Sequence, residues 1–470
     1  MKHLNSFRLR ILSAAMLICL TPIGQAACPD DGARPMNIGP HNPQTTFPLW
    51  VQDSEGLGLE ICPGTDQLNC ISVPPFTPAN TPGLTQAQYD LSAQIGSGEE
   101  AFFASAEASI DLPGGLALLV SAVEAAFLPD FQDGNQFAFT RLRIRIDIPE
   151  DGTYVVTHPW GQISYDIVGA ANNRDINDSF DIPFLADQVG YQGRLGPILT
   201  WDTFPDDLLL DQYGPPFTFD PPFGGSGPDG IPDYIGTLNF LNPLTGGPEH
   251  QVKGSPCGTN FFRIDGPNIG GPGINSVQTD LFTVTGKVFN GAVLPTPLAV
   301  DQATYSRATV GTVNVGRVNV FATAPTIADV SFTGGPNIPA GVQVMANDGS
   351  NRHFGTVALT PDGDTVPSSV DVTADNNANP VNTPTVTNVP LVDLVTVTRA
   401  EYDFATGVLT IEAHSSDLVA SPTLSALGQN LINGVLTTTL NPGVAPPTVT
   451  VTSLAGGSAT LPVTIIHAAP

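Results

Sequence analysis

Positive charge is what this 470-residue chain has least of: 16 Lys and Arg stand against 44 Asp and Glu, a formal net charge of −28. So acidic a surface repels nucleic acid phosphates and anionic lipid, which argues against nucleic acid as a partner, and it favours cations, neutral glycans or basic protein patches. Sulfur is nearly as scarce, with five cysteines and four methionines. No CxxC, HxH or HExxH spacing occurs among the cysteines and the seven histidines, so the common zinc frameworks are excluded. Long apolar runs are missing too: "ILSAAMLICL" near the start is too short to span a membrane, and no membrane insertion is expected. Ser226 in "GGSGP" is followed by Pro228 where a nucleophile elbow needs Gly, and no other catalytic signature appears.

What is abundant points one way. The 48 glycines and 45 prolines, with plentiful Val, Thr and Phe, are the composition of a turn-rich all-β protein, and the length argues for two to four domains. Lys2, Arg8 and Arg10, the apolar run after them and the small residues of "GQA" before Ala27 predict an export signal over residues 1–27. Gln25 stands where a lipobox has Leu, which argues against lipidation of Cys28. A secreted chain, extracellular or cell-surface with the periplasm as an alternative, is therefore expected. It would keep Cys28, Cys62, Cys70 and Cys257, an even number suited to disulfides. Cys62 and Cys70 bracket a turn-rich loop that a bridge closes easily, leaving Cys28 with Cys257 as the second pair.

The C-terminal part repeats itself. "VDQATYSRATVGTVNVGRVNVFATA" from Val300 aligns with "VTRAEYDFATGVLTIEAHSS" from Val397, matching Val300, Ala303 and Tyr305 to Val397, Ala400 and Tyr402 at a constant offset of 97. A later shared phrase ends in Pro380-Val381 in one copy and Pro462-Val463 in the other. Short alternating runs separated by Gly, Pro, Asn and Asp turns have the rhythm of antiparallel sandwiches. The repeated unit resembles bacterial immunoglobulin-like modules, which implies two such sandwiches at 298–395 and 396–470. Residues 28–292 form a larger N-terminal β-sandwich domain, with an irregular Pro- and Gly-rich insertion at about 202–248. Its phrases "FPLWVQDSEGLGLEIC", "GPNIGGPG" and "TDLFTVTGKV" resemble a family of uncharacterised secreted bacterial proteins, a likeness that implies no activity.

One stretch spends the scarce cations freely. In "RLRIRID", Arg141, Arg143 and Arg145 alternate with Leu142, Ile144 and Ile146, which places three guanidinium groups on one face of a strand. Such a ladder needs counter-charge, and the alternating face of Glu107 and Asp111 in "ASAEASIDL" is the expected source from a nearby strand. Alternatively the planar forks bind a carboxylated or sulfated glycan. Trp160 and Trp201 are candidates for a sugar-stacking platform, against the commoner duty of tryptophan in a core. Asp229 and Asp233 in "GPDGIPDY" match the tail of a calcium-binding repeat whose earlier acids are missing here, and calcium is the one cofactor suggested. These features predict a non-enzymatic adhesion or ligand-binding protein, with a glycan or another surface protein as partner. A polysaccharide hydrolase with accessory modules and a structural subunit of an extracellular assembly stay open as alternatives.

Overall fold

The structure is a computed structural model that describes residues 34–466 apart from 63, 65–68, 72, 189–190, 194, 203–233, 239–240, 243–244, 290, 350, 361, 378–381 and 441–443. The expected signal, Cys28, Ser226, Asp229 and Asp233 lie outside the described residues, as does most of the 202–248 insertion. The fold is all-β. One helix occurs among the described residues, Gln86–Ile95, started by a Thr85–Gln88 capping box and stopped by Gly96 in the left-handed region.

The N-terminal part is built on an eleven-stranded sheet whose centre runs, in spatial order, Leu281–Val288, Ala101–Leu112, Gly115–Phe127, Gln136–Ile146 and Ile176–Phe184. Every neighbour in this run is antiparallel. A four-stranded sheet, Ser276–Thr279, Phe262–Asp265, Gly152–His158 and Gly161–Ile167, covers one face. Leu142, Ile144 and Ile146 of the arginine strand share a buried core with Tyr154, Val156, Phe262 and Ile264 of this second sheet. Period-two alternation thus turns the aliphatic half of "RLRIRI" inward and the guanidinium half outward. "GLALLVSAVEAAF", apolar on both parities, is a strand because it lies between two long partners and is half-buried on its outer face as well.

Two further pairs of sheets follow, each with its own core, one assembled from residues between Ala303 and Leu391, the other from residues between Val395 and Val451. The repeat is visible in the backbone. Ala299–Val310 and Val395–Asp403 carry a register shift at the matching places, Val300/Gln302 and Val397/Arg399, and each pairs in parallel with the last strand of its own unit. The second repeated phrase needs a correction. Ser369 pairs with Pro390 and Thr448 with Pro462, so Pro390 is the pairing counterpart of Pro462, while Pro380 and Val381 lie outside the described residues. The connection between the paired strands is longer in the first copy, which displaces the sequence match from the structural one.

Specific contacts tie the units end to end. Arg307 donates from Nη2 and Nε to both carboxylate oxygens of Asp417 at 2.6 and 3.0 Å, the Tyr305 hydroxyl donates to the same group at 3.1 Å, and Arg307 Nη1 reaches the carbonyls of Gly363 and Asp364. Backbone bonds from Arg307 N to Ser416 O and from Leu418 N to Arg307 O flank the pair. At the other junction, Glu55 accepts from the amide and hydroxyl of Thr326, and Gln52 donates to the carbonyl of Pro295. Asn382 packs over Gly56, which has φ +92° and where a Cβ would lie 2.2 Å from the Asn382 Oδ1. Asp417 retains only 1 % side-chain exposure, so removing its guanidinium partner leaves a buried charge held by the Tyr305 hydroxyl and the amides of Val419 and Ala420 alone. Arg307→Ala is expected to destabilise the C-terminal units by about 3–5 kcal/mol in urea denaturation; a loss below about 1 kcal/mol would show that the pair does not hold them.

Candidate functional site

The three arginines sit on the outer face of the central sheet, and their surroundings differ sharply. Arg141 is enclosed by carboxylates: Nη1 donates to both Glu124 oxygens at 3.0 and 3.1 Å, while Nε and Nη2 form a bidentate pair with Asp181 at 2.9 and 2.8 Å. Its guanidinium carbon also lies 4.8 Å from the centroid of the Phe139 ring. Arg143 and Arg145, by contrast, meet neutral groups. Arg143 Nε donates to the Ser179 hydroxyl at 3.1 Å, and Arg145 Nε to the Asn177 amide oxygen at 3.2 Å.

Register explains the difference. Arg141 lies between Ala122 and Asp181, Arg143 between Val120 and Ser179, and Arg145 between Leu118 and Asn177. Glu124 reaches Arg141 diagonally from the row of Phe139. The expected source of counter-charge is corrected in part: the Glu107 and Asp111 strand lies close but does not pair with the arginine strand, from which Gly115–Phe127 separates it. Glu107 does share a row with Val120 and Arg143, two strands away, and burial raises its pKa while the Arg143 charge opposes that shift. Burial and then repulsion from Arg141 and Arg145 lower the pKa of Arg143. Alternate residues on a strand are about 7 Å apart, a separation at which two like charges repel by about 2.4 kcal/mol at an effective dielectric of 20.

The other predicted residues fall elsewhere. Trp160 and Trp201 are 1 % and 0 % exposed within the core, so neither offers a ring to solvent; both are corrected from stacking candidates to packing residues. The Trp160 indole donates to the Pro197 carbonyl, and Trp201 stacks on His250 with ring centroids 5.0 Å apart. The Cys62–Cys70 disulfide is present. Cys257 is also disulfide-bonded, and its expected partner Cys28 lies outside the described residues, as do the calcium candidates Asp229 and Asp233. Among the described residues no group of three His, Cys, Asp or Glu is placed to hold a metal, and no helix is long and apolar enough to cross a membrane.

Sequence reasoning missed two features. A groove of about 330 Å³ opens where the arginine strand begins, lined by Phe47, Phe137, Phe184, Leu185, Gln136 and His41. Beside it His41 Nδ1 lies 2.6 Å from Asp187, an exposed pair. The other feature is a pair of carboxylates, one buried and one half-buried, on the turn facing the second unit. Asp53, which accepts from the amides of Leu57, Glu55 and Ile198, is pushed up to about 6 by burial; Glu55 is pushed up to about 7 by burial, with the Asp53 charge adding to the shift.

No family model and no curated protein matches this chain. Among solved structures, one described as "Structural insight into host cell surface retention of a 1.5-MDa bacterial ice-binding adhesin" is 10 % identical, covering 70 % of this chain and 88 % of that one. The TM-score is 0.13, at which the likeness carries no argument about this protein. The sandwich description therefore rests on the sheets and cores themselves.

Two expectations follow from the charges. Arg141→Gln leaves Glu124, 3 % exposed, without its cation; the carboxyl takes up a proton, and the lost hydrogen bonds should destabilise by about 1–3 kcal/mol, whereas Arg143→Gln and Arg145→Gln relieve repulsion and should leave thermal stability equal or higher; a large loss in the latter two would contradict the asymmetry. Burial likewise pushes Glu124 up to about 7 despite Arg141, which it shares with Asp181. A carboxyl raised on folding contributes fully below its unfolded value near 4.5 and loses that contribution as pH rises through its folded value. Stability should accordingly fall between about pH 4 and pH 7 from Glu124, Glu55 and Asp53. Glu55→Gln, which copies the uncharged acid, should add roughly 1–3 kcal/mol at pH 8 and flatten the profile; an unchanged slope in denaturation series would refute this origin.

Proposed function

We propose that this chain is an extracellular adhesion protein, in which the N-terminal unit supplies the contact surface and the two following β-sandwich units hold it at a fixed reach. The observation that carries this reading is the locked junction: Arg307, Tyr305 and Ser416 bind across the second joint with Asp417 and Asp393, and Glu55, Gln52 and Asn382 bind across the first. A display protein depends on such fixing, because reach and orientation decide whether contacts form simultaneously. The disulfide Cys62–Cys70 suits an oxidising compartment, and an acidic surface favours solubility there. The repeated C-terminal units serve as immunoglobulin-like spacers in this reading.

Expressed in full in a bacterium, the protein should be recovered outside the cytoplasm with Cys62 and Cys70 oxidised, and it should increase attachment of the cells to polysaccharide-coated surfaces. Recovery in the cytoplasm with free thiols would contradict the assignment, and release of reducing ends from the coat would replace it with a hydrolase. X-ray scattering of the purified chain tests the joints separately. One particle shape should fit at all salt concentrations for the native protein, whereas Arg307→Ala should broaden the distribution of lengths.

A further inference from the structure

The arginine face carries an inference about what is bound, and this inference rests on the adhesion reading. We infer that Arg143 and Arg145 form a binding site for an acidic polysaccharide, whose carboxylate or sulfate groups are received by the guanidinium nitrogens that Ser179 and Asn177 leave unused. Each arginine spends Nε on a neutral acceptor, and neither makes a carboxylate contact among the described residues. In a chain with 44 acids and 16 bases, two neighbouring cations without contacting carboxylates stand out. Arg141, one step along the same strand, shows what full neutralisation looks like here.

The surroundings select the ligand class. Ser179 and Asn177 are exposed, and because each accepts from an arginine, the hydroxyl hydrogen and the amide NH₂ are available to donate outward. On the other side Leu118 and Val120 form a half-buried apolar strip, opposite Arg145 and Arg143 respectively. A pyranose with an acidic substituent meets all three demands: a C–H face for the strip, hydroxyls for Ser179 and Asn177, and an anion for the planar forks. A duplex with one charge per about 1.7 Å meets more repulsion from the acidic remainder of the surface than a polysaccharide with one charge per sugar does. One charge per sugar suits two cations spaced by about 7 Å. Glu107, in the row of Arg143 but beyond Val120, confines the anion to the arginine side of the strip.

The test uses the full-length protein, with polygalacturonate as the carboxylated probe, dextran sulfate as the sulfated probe, dextran as the neutral one and polyglutamate as an acidic polypeptide, all read by calorimetry. At least one acidic polysaccharide should bind, its preference over the other naming the anion, and dextran should not. The double variant R143Q/R145Q should weaken that binding at least tenfold with an unchanged near-ultraviolet circular dichroism spectrum. R143K/R145K, which keeps the charge and loses the planar fork, should fall between the two. Unchanged affinity in the glutamine variant, equal binding of dextran or polyglutamate, or no binding of either acidic polysaccharide would each overturn the inference. Attachment of cells that persists when both acidic polymers fail to bind would overturn the ligand assignment alone; polymer binding without any attachment would overturn the adhesion reading instead.

Discussion

A buried carboxylate must find a cation or enough hydrogen-bond donors, and in a protein with so few cations that choice shapes everything else. Glu124 holds Arg141, and Asp417 holds Arg307 together with the amides of Val419 and Ala420. Asp53 takes donors, accepting three backbone amides at the turn that faces the neighbouring unit. Cations so placed are structural. They lock a central strand to its partners and one sandwich to the next, and the order of the units depends on them more than on any continuous core.

Against that background Arg143 and Arg145 are costly. Their mutual repulsion goes without a carboxylate in contact among the described residues, while the inner face of the strand packs through Leu142, Ile144 and Ile146. Strand position does not force the expense, because the same ladder neutralises Arg141 completely. Retaining a local destabilisation that packing does not require is the pattern expected of a site kept ready for something arriving from outside.

The sequence made the strands legible and left their order in space largely hidden. Alternation in "RLRIRI" and "ASAEASIDL" announces which side chains share a face, and the 97-residue offset announces two related units, whose matching register shifts confirm the relation. Alternation gives the face but not the neighbour: Glu107 stands two strands from Arg143, and Arg141 takes its counter-charge from Glu124 and Asp181. One signal was available: Ala101–Leu112 and Gly115–Phe127 are joined by only Pro113 and Gly114, so they must pair, which puts the second strand between Glu107 and the arginines. Glu124, the single charge in an apolar run, was the other. No comparable signal marks Arg307 and Asp417, which are 110 residues apart and meet only because the units stack. The tryptophans illustrate a different limit, since a residue with an apolar body and one donor serves a core or a surface equally until its neighbours are known.

The two uses of arginine also belong together physically. A flat sheet face holds a ligand weakly unless its side chains are already fixed, because each mobile arginine ordered on binding costs about 0.5–1.5 kcal/mol. Ser179 and Asn177 supply that fixation by holding Nε on the strand beside, while the clamp on Arg141 pins the register of three strands through Glu124 and Asp181. A slip by one residue would turn every guanidinium into the core. The neutralised arginine thereby sets the positions of the two that are not, and the joints at Arg307 and Glu55 extend the same order from the face to the far end of the molecule.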